Sequence, residues 1–167
     1  MKKIEKFIPI LMVISAFIIA GSIFFAFFIP KGPHVNVYFL KKDKLAAISR
    51  PLNKNDEPIS LAIAELLKGP TKSEKEKGYF SEIPIGTQIV GMKKEGNELG
   101  LIFNEKLENY GGGSFKVRGL IAQIVYTFTE VAKVKKVRIF IDGKDQVVLG
   151  GEGYIIDKSL SRDDVKF

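Results

Sequence analysis

The N-terminal segment constrains the architecture of this chain more than any other feature of the sequence. From Phe7 to Ile29 there is no charged residue, and Ile, Phe, Leu and Ala dominate. As a helix this run would be about 35 Å long, enough to cross a hydrocarbon core of roughly 30 Å. Three lysines precede it, and the positive-inside rule keeps that end in the cytoplasm. We therefore predict a cytoplasmic tail over 1–6, a single-pass anchor in the cytoplasmic membrane over 7–29, and an extracytoplasmic domain.

A cleaved signal peptide is the alternative interpretation of the same segment. Signal peptides have apolar regions of about 7–15 residues, followed by small residues at the cleavage site. Ala20, Gly21 and Ser22 are small, but cleavage there would leave the apolar stretch from Ile23 to Ile29 at the new terminus. The sequence therefore favours an uncleaved anchor.

The remainder of the chain has the size of one domain. Two prolines mark a short linker over 30–34, the domain is expected over 35–158, and a polar tail follows over 159–167. The chain has no cysteine, so it forms no disulfide and cannot carry a lipid on an N-terminal cysteine. From residue 34 onward the formal net charge is only +4, and export also argues against nucleic acid as a partner.

Hydrophobic periodicity predicts an α+β domain in the order ββ-α-ββ-α-β, with two helices packed on one face of a mixed sheet. Caps support both helices: Glu57 and Pro58 begin the first, Gly69 ends it, and Ser114 is the expected N-cap of the second. The expected strands are Val35–Leu40, Leu45–Leu52, Thr87–Lys93, Glu98–Asn104, Val137–Ile141 and a returning Val147–Leu149. One expected helix begins at Pro58 and ends before Gly69, and the other runs over Phe115–Ala132 with a continuous apolar stripe along it. A charged loop is expected over Thr71–Gly78. Leu99, Leu101 and Phe103 alternate, so they should share one face of the sheet.

Five ordered pieces of this pattern resemble the GerMN domain, found in sporulation and spore-germination proteins of the bacterial envelope. They are Val37–Phe39, Leu66–Pro70, Ile83–Thr87, Leu101–Leu107 with the glycine-rich loop after it, and Gln123–Thr127 with the strand and turn over Val137–Gly143. The resemblance covers residues 35–150 and implies an extracytoplasmic module similar to ring-building motifs, with no established catalytic residues. Two departures are the missing lipidation cysteine and the single domain where the sporulation protein that names the family has two.

Residues suited to catalysis are sparse in this sequence. The only histidine, His34, lies beside the linker, so neither a Ser-His-Asp triad nor a histidine metal site is expected. Asp142, Asp145 and Glu152 follow the last strands, and a carboxylate pair is all that a glycosidase requires. Turn geometry and solvation explain these three acids more simply. We predict no catalytic, cofactor-binding or metal site, and keep a peptidoglycan- or glycan-binding or -cleaving domain as the alternative.

The predicted function is therefore a non-catalytic, membrane-anchored assembly or binding module of the cell envelope, linked to sporulation, germination or cell-wall processes. Its expected partners are the membrane and either other envelope proteins or further copies of itself, with cell-wall polymer as a further candidate. Aromatic residues in loops suit such contacts. The candidates for partner contact are Tyr79, Phe80, Tyr110 and Tyr154.

Overall fold

The computed structural model describes residues 14–19, 21, 32–109, 111–144, 146–150 and 153–167. The chain divides into two compact units, Met1–Pro33 and His34–Phe167. In the first unit, residues 14–19 and 21 are helical, and the rest of the predicted tail and anchor lies outside the described residues. No helix among the described residues combines the length and the apolarity that crossing a membrane requires. The anchor over 7–29 stays a prediction.

The second unit begins with an antiparallel sheet in the order β2-β1-β3. Its strands are β1 (His34–Lys41), β2 (Lys44–Pro51) and β3 (Tyr79–Phe80). A two-residue turn joins β1 to β2, and Lys42 in it has a positive φ of 58°. Both strands of the predicted hairpin are confirmed, each within one residue of its expected start. The short β3 pairs with the last two residues of β1 on its other side.

Helix α1 (Pro58–Lys68) has the predicted caps at both ends. The carboxylate of Glu57 accepts a hydrogen bond of 2.6 Å from the backbone N–H of Ser60, and this bond lowers the pKa of Glu57. Gly69 ends the helix with a φ of 77° and a ψ of −177°, a positive-φ conformation that glycine adopts without steric cost. Ala62 and Leu66 are fully buried on the face that packs against β1.

The loop predicted over Thr71–Gly78 is wrong, because this segment contains the short helix α2 (Lys72–Glu76). Thr71 and Glu74 form a capping box: each side chain accepts a hydrogen bond from the other residue's backbone N–H. The helix buries none of its own residues. Helix α2 is therefore stabilised by its caps and polar contacts and not by a buried apolar face.

A second, mixed sheet has the order β4-β5-β6. It comprises β4 (Ile89–Glu95) and β5 (Glu98–Phe103), which are antiparallel, and β6 (Lys136–Ile141), which is parallel to β5. The crossover between β5 and β6 contains a 3-10 turn (Glu105–Glu108) and the long helix α3 (Ser114–Val131). Alternate residues of β5 and β6 are buried, as the sequence predicted for β5. The α+β class is confirmed, but within the described residues the strands form separate small sheets instead of one.

Helix α3 is the centre of the folded unit, where it packs against β1, α1 and β6. Its predicted apolar stripe is buried, including Leu120, Ile121, Ile124 and Phe128. The N-cap is Gly113 in extended conformation, and no side chain caps the helix. The prediction of Ser114 as N-cap is wrong by one residue, because Ser114 already has helical backbone.

The C-terminal residues pack onto the domain, so the polar tail predicted over 159–167 needs correction. Leu160 exchanges two backbone hydrogen bonds of 2.8 Å with Val137 of β6, and both Leu160 and Val165 are buried. Before this segment, β7 (Val147–Leu149) is confirmed as a strand, but it pairs with β8 (Tyr154–Ile156). Burial of two apolar side chains in an otherwise polar stretch explains why this segment is ordered.

Candidate interaction surface

A mainly apolar groove lies beside β3, and we call it the β3 groove. It has a volume of about 510 Å³ and lies between the end of α1 and the segment that follows β3. Its lining is mainly apolar or uncharged: Leu67, Lys68, Gly69, Pro70, Lys75, Tyr79, Phe80, Ser81, Ile83, Ile85 and Gly86. All of these residues belong to the one continuous stretch of the chain from Leu67 to Gly86.

The apolar side chains of the groove differ in their exposure. Tyr79 and Phe80 are half-buried, and Tyr79 also packs against the hydrophobic core. Ile85 is 101% exposed, so its side chain packs against none of the described residues of the folded unit. A half-buried aromatic floor beside a fully exposed isoleucine is typical of a surface that buries further area on binding.

A buried glutamine of α3 fixes the segment that follows β3. The Gln123 side chain is 0% exposed, and its Oε1 accepts a hydrogen bond of 2.8 Å from the backbone N–H of Glu82. Its Nε2 donates to the Ser81 hydroxyl at 3.0 Å and to the Tyr38 carbonyl at 3.4 Å. One side chain therefore ties β1, α3 and the edge of the groove together.

A buried arginine fixes the other side of the groove through α2. The Arg50 guanidinium on β2 donates from Nε to Glu65 of α1 at 2.6 Å, and from Nη1 and Nη2 to Glu74 of α2 at 2.6 and 2.8 Å. Hydrogen bonding and charge from Arg50 lower the pKa of Glu74 to about 2, while the hydrogen bond to Glu74 raises the pKa of Arg50. We call these three residues the Arg50 clasp. It holds α2, and with it Lys75, against the hairpin.

Cations dominate the charges around the β3 groove. Lys68 and Lys75 are the charged residues of its lining, and the Lys41 ammonium lies 4.6 Å from the ring centroid of Tyr79. The Lys106 Cγ lies 3.8 Å from the position that a Cβ on Gly86 would occupy. Lys68 also bonds to Glu65 at 3.2 Å but keeps 65% of its side-chain surface exposed. The groove is therefore apolar with a basic rim.

The structure brings two of the four predicted contact residues together in the groove. Tyr79 and Phe80 line the groove, whereas Tyr154 lies on β8 and is 41% exposed. Tyr110 lies outside the described residues. The sequence prediction missed Ile85, although an isoleucine between Pro84 and Gly86 in a turn is a signal of an exposed apolar side chain.

A second polar cluster joins the C-terminal segment to α3. Arg162 donates to the Glu130 carboxylate at 3.0 Å and to the Tyr126 carbonyl at 2.9 Å, and Glu130 accepts from the Tyr38 hydroxyl at 2.6 Å. Burial, together with the bond to Glu130, raises the pKa of Tyr38 to about 12. Burial alone would raise the pKa of Glu130, but hydrogen bonds from Tyr38, Asn36 and Arg162 outweigh it and lower that pKa. These bonds connect β1, α3 and the C-terminal segment and so have a structural role.

The two described residues that were considered for catalysis are both exposed. His34 is the exposed first residue of β1, and Asp142 is exposed at the end of β6. Asp145 and Glu152 lie outside the described residues. Within the described ranges, no group of three or more His, Cys, Asp or Glu side chains is placed to hold a metal ion.

The fold and the groove define a small α+β domain with a candidate protein-contact surface. A family model described as "Germane: Sporulation and spore germination" matches residues 36–147, about two thirds of the chain. The chain belongs to this family, which confirms the resemblance to GerMN domains seen in its sequence. The chain matches none of the curated proteins.

Solved structures of GerMN domains have the same fold. The chain is similar to the first GerMN domain of the sporulation protein GerM from Bacillus subtilis, with 22% identity and a TM-score of 0.63. That match covers 79% of this chain and 99% of the domain. The tandem GerMN domains of the same protein match with 23% identity, a TM-score of 0.60 and 77% coverage of this chain. This chain spans 44% of the tandem structure.

A third similar structure is that of a candidate lipoprotein from Clostridium perfringens. It matches with 18% identity and a TM-score of 0.54, over 80% of this chain and 89% of its own. At identities of 18–23% these likenesses establish the fold alone.

Proposed function

We propose that this chain is a membrane-anchored, extracytoplasmic binding module of the bacterial envelope. It acts in sporulation or germination by contacting other envelope proteins through its folded domain, without catalysing a reaction. The observation that carries the proposal is the family match over residues 36–147, which spans most of the folded unit from His34 to Phe167. The envelope location is proposed from the uncharged apolar run over 7–29 and the lysines that precede it.

Buried and half-buried charged side chains form ion pairs within the fold, which favours a binding role over an enzymatic one. Arg50 bonds to Glu65 and Glu74, and Arg162 bonds to Glu130. Each of these pairs joins separate segments of the fold, so these charges have a structural role. The β3 groove, by contrast, leaves the apolar side chain of Ile85 and most of the Lys68 side chain exposed. That combination favours recognition of another molecule.

The location and topology are testable because the chain has no cysteine of its own. A single cysteine in place of Lys54, an exposed loop residue of the domain, should react with a membrane-impermeant maleimide in intact cells. A Lys3→Cys variant is the matched control and should react only after lysis. Labelling of the Lys54→Cys variant only after lysis would overturn the extracytoplasmic location.

The non-catalytic role is tested with purified full-length protein and isolated peptidoglycan. We expect no release of soluble muropeptides over the background of a buffer control. Release that disappears in an Asp142→Asn variant would replace the binding function by the glycan-cleaving alternative.

A further inference from the structure

We propose that the β3 groove binds an extended, acidic peptide segment of a partner protein, in which bulky apolar side chains are flanked by carboxylates. This inference rests on the proposed binding function and gives it a surface and a partner chemistry. The occupant is identified by three properties of the groove: its apolar floor, the sign of its charges, and the unpaired edge of β3.

The apolar floor of the groove favours a peptide with a bulky apolar side chain. Single exposed apolar residues are common on protein surfaces and carry no information. Here the fully exposed Ile85 borders a concavity that also contains the half-buried Tyr79 and Phe80. Seating an apolar side chain among these three removes surface from water on both partners, which favours binding.

The positive charge of the groove favours a peptide that has carboxylates next to its apolar side chain. Both charged residues of the lining, Lys68 and Lys75, are cationic, and the groove has no lining carboxylate. Glu82 is close in sequence, but its Cγ lies 3.5 Å from the position that a Cβ on Gly119 of α3 would occupy, so its stem is directed at that helix. A basic rim of this kind attracts acidic segments and repels basic ones.

The edge of β3 favours a peptide that binds in an extended conformation. β3 pairs with β1 on one side, and among the described residues no strand pairs with its other edge. Free backbone groups at a sheet edge readily pair with an added strand. Gln123 and the Arg50 clasp fix the segments on either side, so the groove is largely formed before binding.

The test measures binding of three fluorescent octapeptides to the full-length chain in neutral phosphatidylcholine nanodiscs. Each peptide has a central Phe-Leu pair, flanked on both sides by three residues of Glu, Ser or Lys. At an ionic strength of about 0.02 M we expect the Glu peptide to bind about tenfold tighter than the Ser peptide, and the Lys peptide weakest. This advantage should fall as salt is added.

Two variants test whether the peptides bind at the groove. Ile85→Ser should weaken binding of the Glu and Ser peptides alike by about tenfold or more, since it removes a large part of the apolar contact. Lys75→Glu should weaken the Glu peptide specifically. Both residues are exposed, so neither change should disturb folding. The matched controls are Ile155→Ser on β8 and Lys54→Glu, which should leave every affinity unchanged.

Three results would overturn the proposal: equal binding of the Glu and Ser peptides, equal effects of a groove variant and its control, or binding to anionic phosphatidylglycerol vesicles with no binding of any peptide. The last result would assign the lysines to a lipid surface. The proposed function is judged separately by crosslinking in cells. Crosslinks from the folded domain that avoid the groove lysines would reject the groove and keep the binding function.

Discussion

Replacing Arg50 by Ala tests whether the Arg50 clasp holds the hairpin, α1 and α2 together. Arg50 is 9% exposed, and its guanidinium makes three charge-assisted bonds of 2.6–2.8 Å to Glu65 and Glu74. Removal of one member of such a buried pair costs about 3–5 kcal/mol, since it leaves charges without a partner. Glu65 keeps its bond to Lys68, and the carboxylates are partly exposed. We therefore expect a loss of about 3 kcal/mol in the free energy of unfolding.

The pH dependence gives a second, independent expectation for the same variant. The folded-state pKa of Glu74 is about 2, below its ordinary 4.5. A lowered carboxyl pKa stabilises the fold above pH 4.5, and this stabilisation is lost as the pH falls towards 2. With allowance for solvent screening it amounts to about 1–2 kcal/mol. The difference in stability between the native chain and Arg50→Ala should therefore shrink between pH 6 and pH 3.

Urea unfolding of the full-length chain, followed by near-ultraviolet circular dichroism of tyrosine, measures both effects. The chain has no tryptophan, and all five tyrosines follow residue 34, so the signal reports on the folded unit alone. Arg118→Ala is the matched control, because Arg118 is exposed on α3 and should cost less than about 0.5 kcal/mol. Equal losses for the two variants, or a loss at Arg50 that is unchanged at pH 3, would refute the clasp.

Three further substitutions test other contacts by the same unfolding measurement. Leu160→Ala should cost about 2–3 kcal/mol because this side chain is buried, whereas the exposed Asp163→Ala should be neutral; a frayed tail would make both neutral. Gln123→Leu should cost about 2–3 kcal/mol, since three polar groups lose their buried partner, and an unchanged stability would show that water replaces it. Gly119→Ala should cost about 1 kcal/mol, because a Cβ there would meet a core methyl group at 2.8 Å, which outweighs the better helix propensity of Ala. Gly111→Ala has open space and is its neutral control, so a stabilised Gly119→Ala would show that the core adjusts at no cost.

Local chemistry made the caps and the hairpins predictable from the sequence. Glu57 with Pro58, and Gly69 with the proline after it, identified both ends of α1, because capping depends on neighbours in the chain. The alternation of Leu99, Leu101 and Phe103 gave the buried face of β5 for the same reason. The helix α2 was also encoded locally, in the capping box of Thr71 and Glu74, but without an apolar face its charged residues indicated a loop.

Long-range contacts account for what the sequence did not predict. The division of the strands between sheets depends on the parallel pairing of β5 with β6 across α3, which no local pattern specifies. Burial of Leu160 and Val165 depends on a surface built by α3 and β6. The groove depends on Ile85 lying beside the end of α1, and on the buried amide of Gln123, which the sequence does not distinguish from the other polar residues of α3.

Crosslinking in living cells tests the proposed binding function most directly. A zero-length carbodiimide reagent joins lysine amines to carboxylates at contact distance, and mass spectrometry then identifies both partners. The expected result is a set of crosslinks from lysines of the folded domain, with Lys68, Lys75 or Lys106 among them, to acidic residues of another envelope protein. No crosslink to any protein, with the chain retained on isolated sacculi, would contradict the binding function and favour a role at the cell wall.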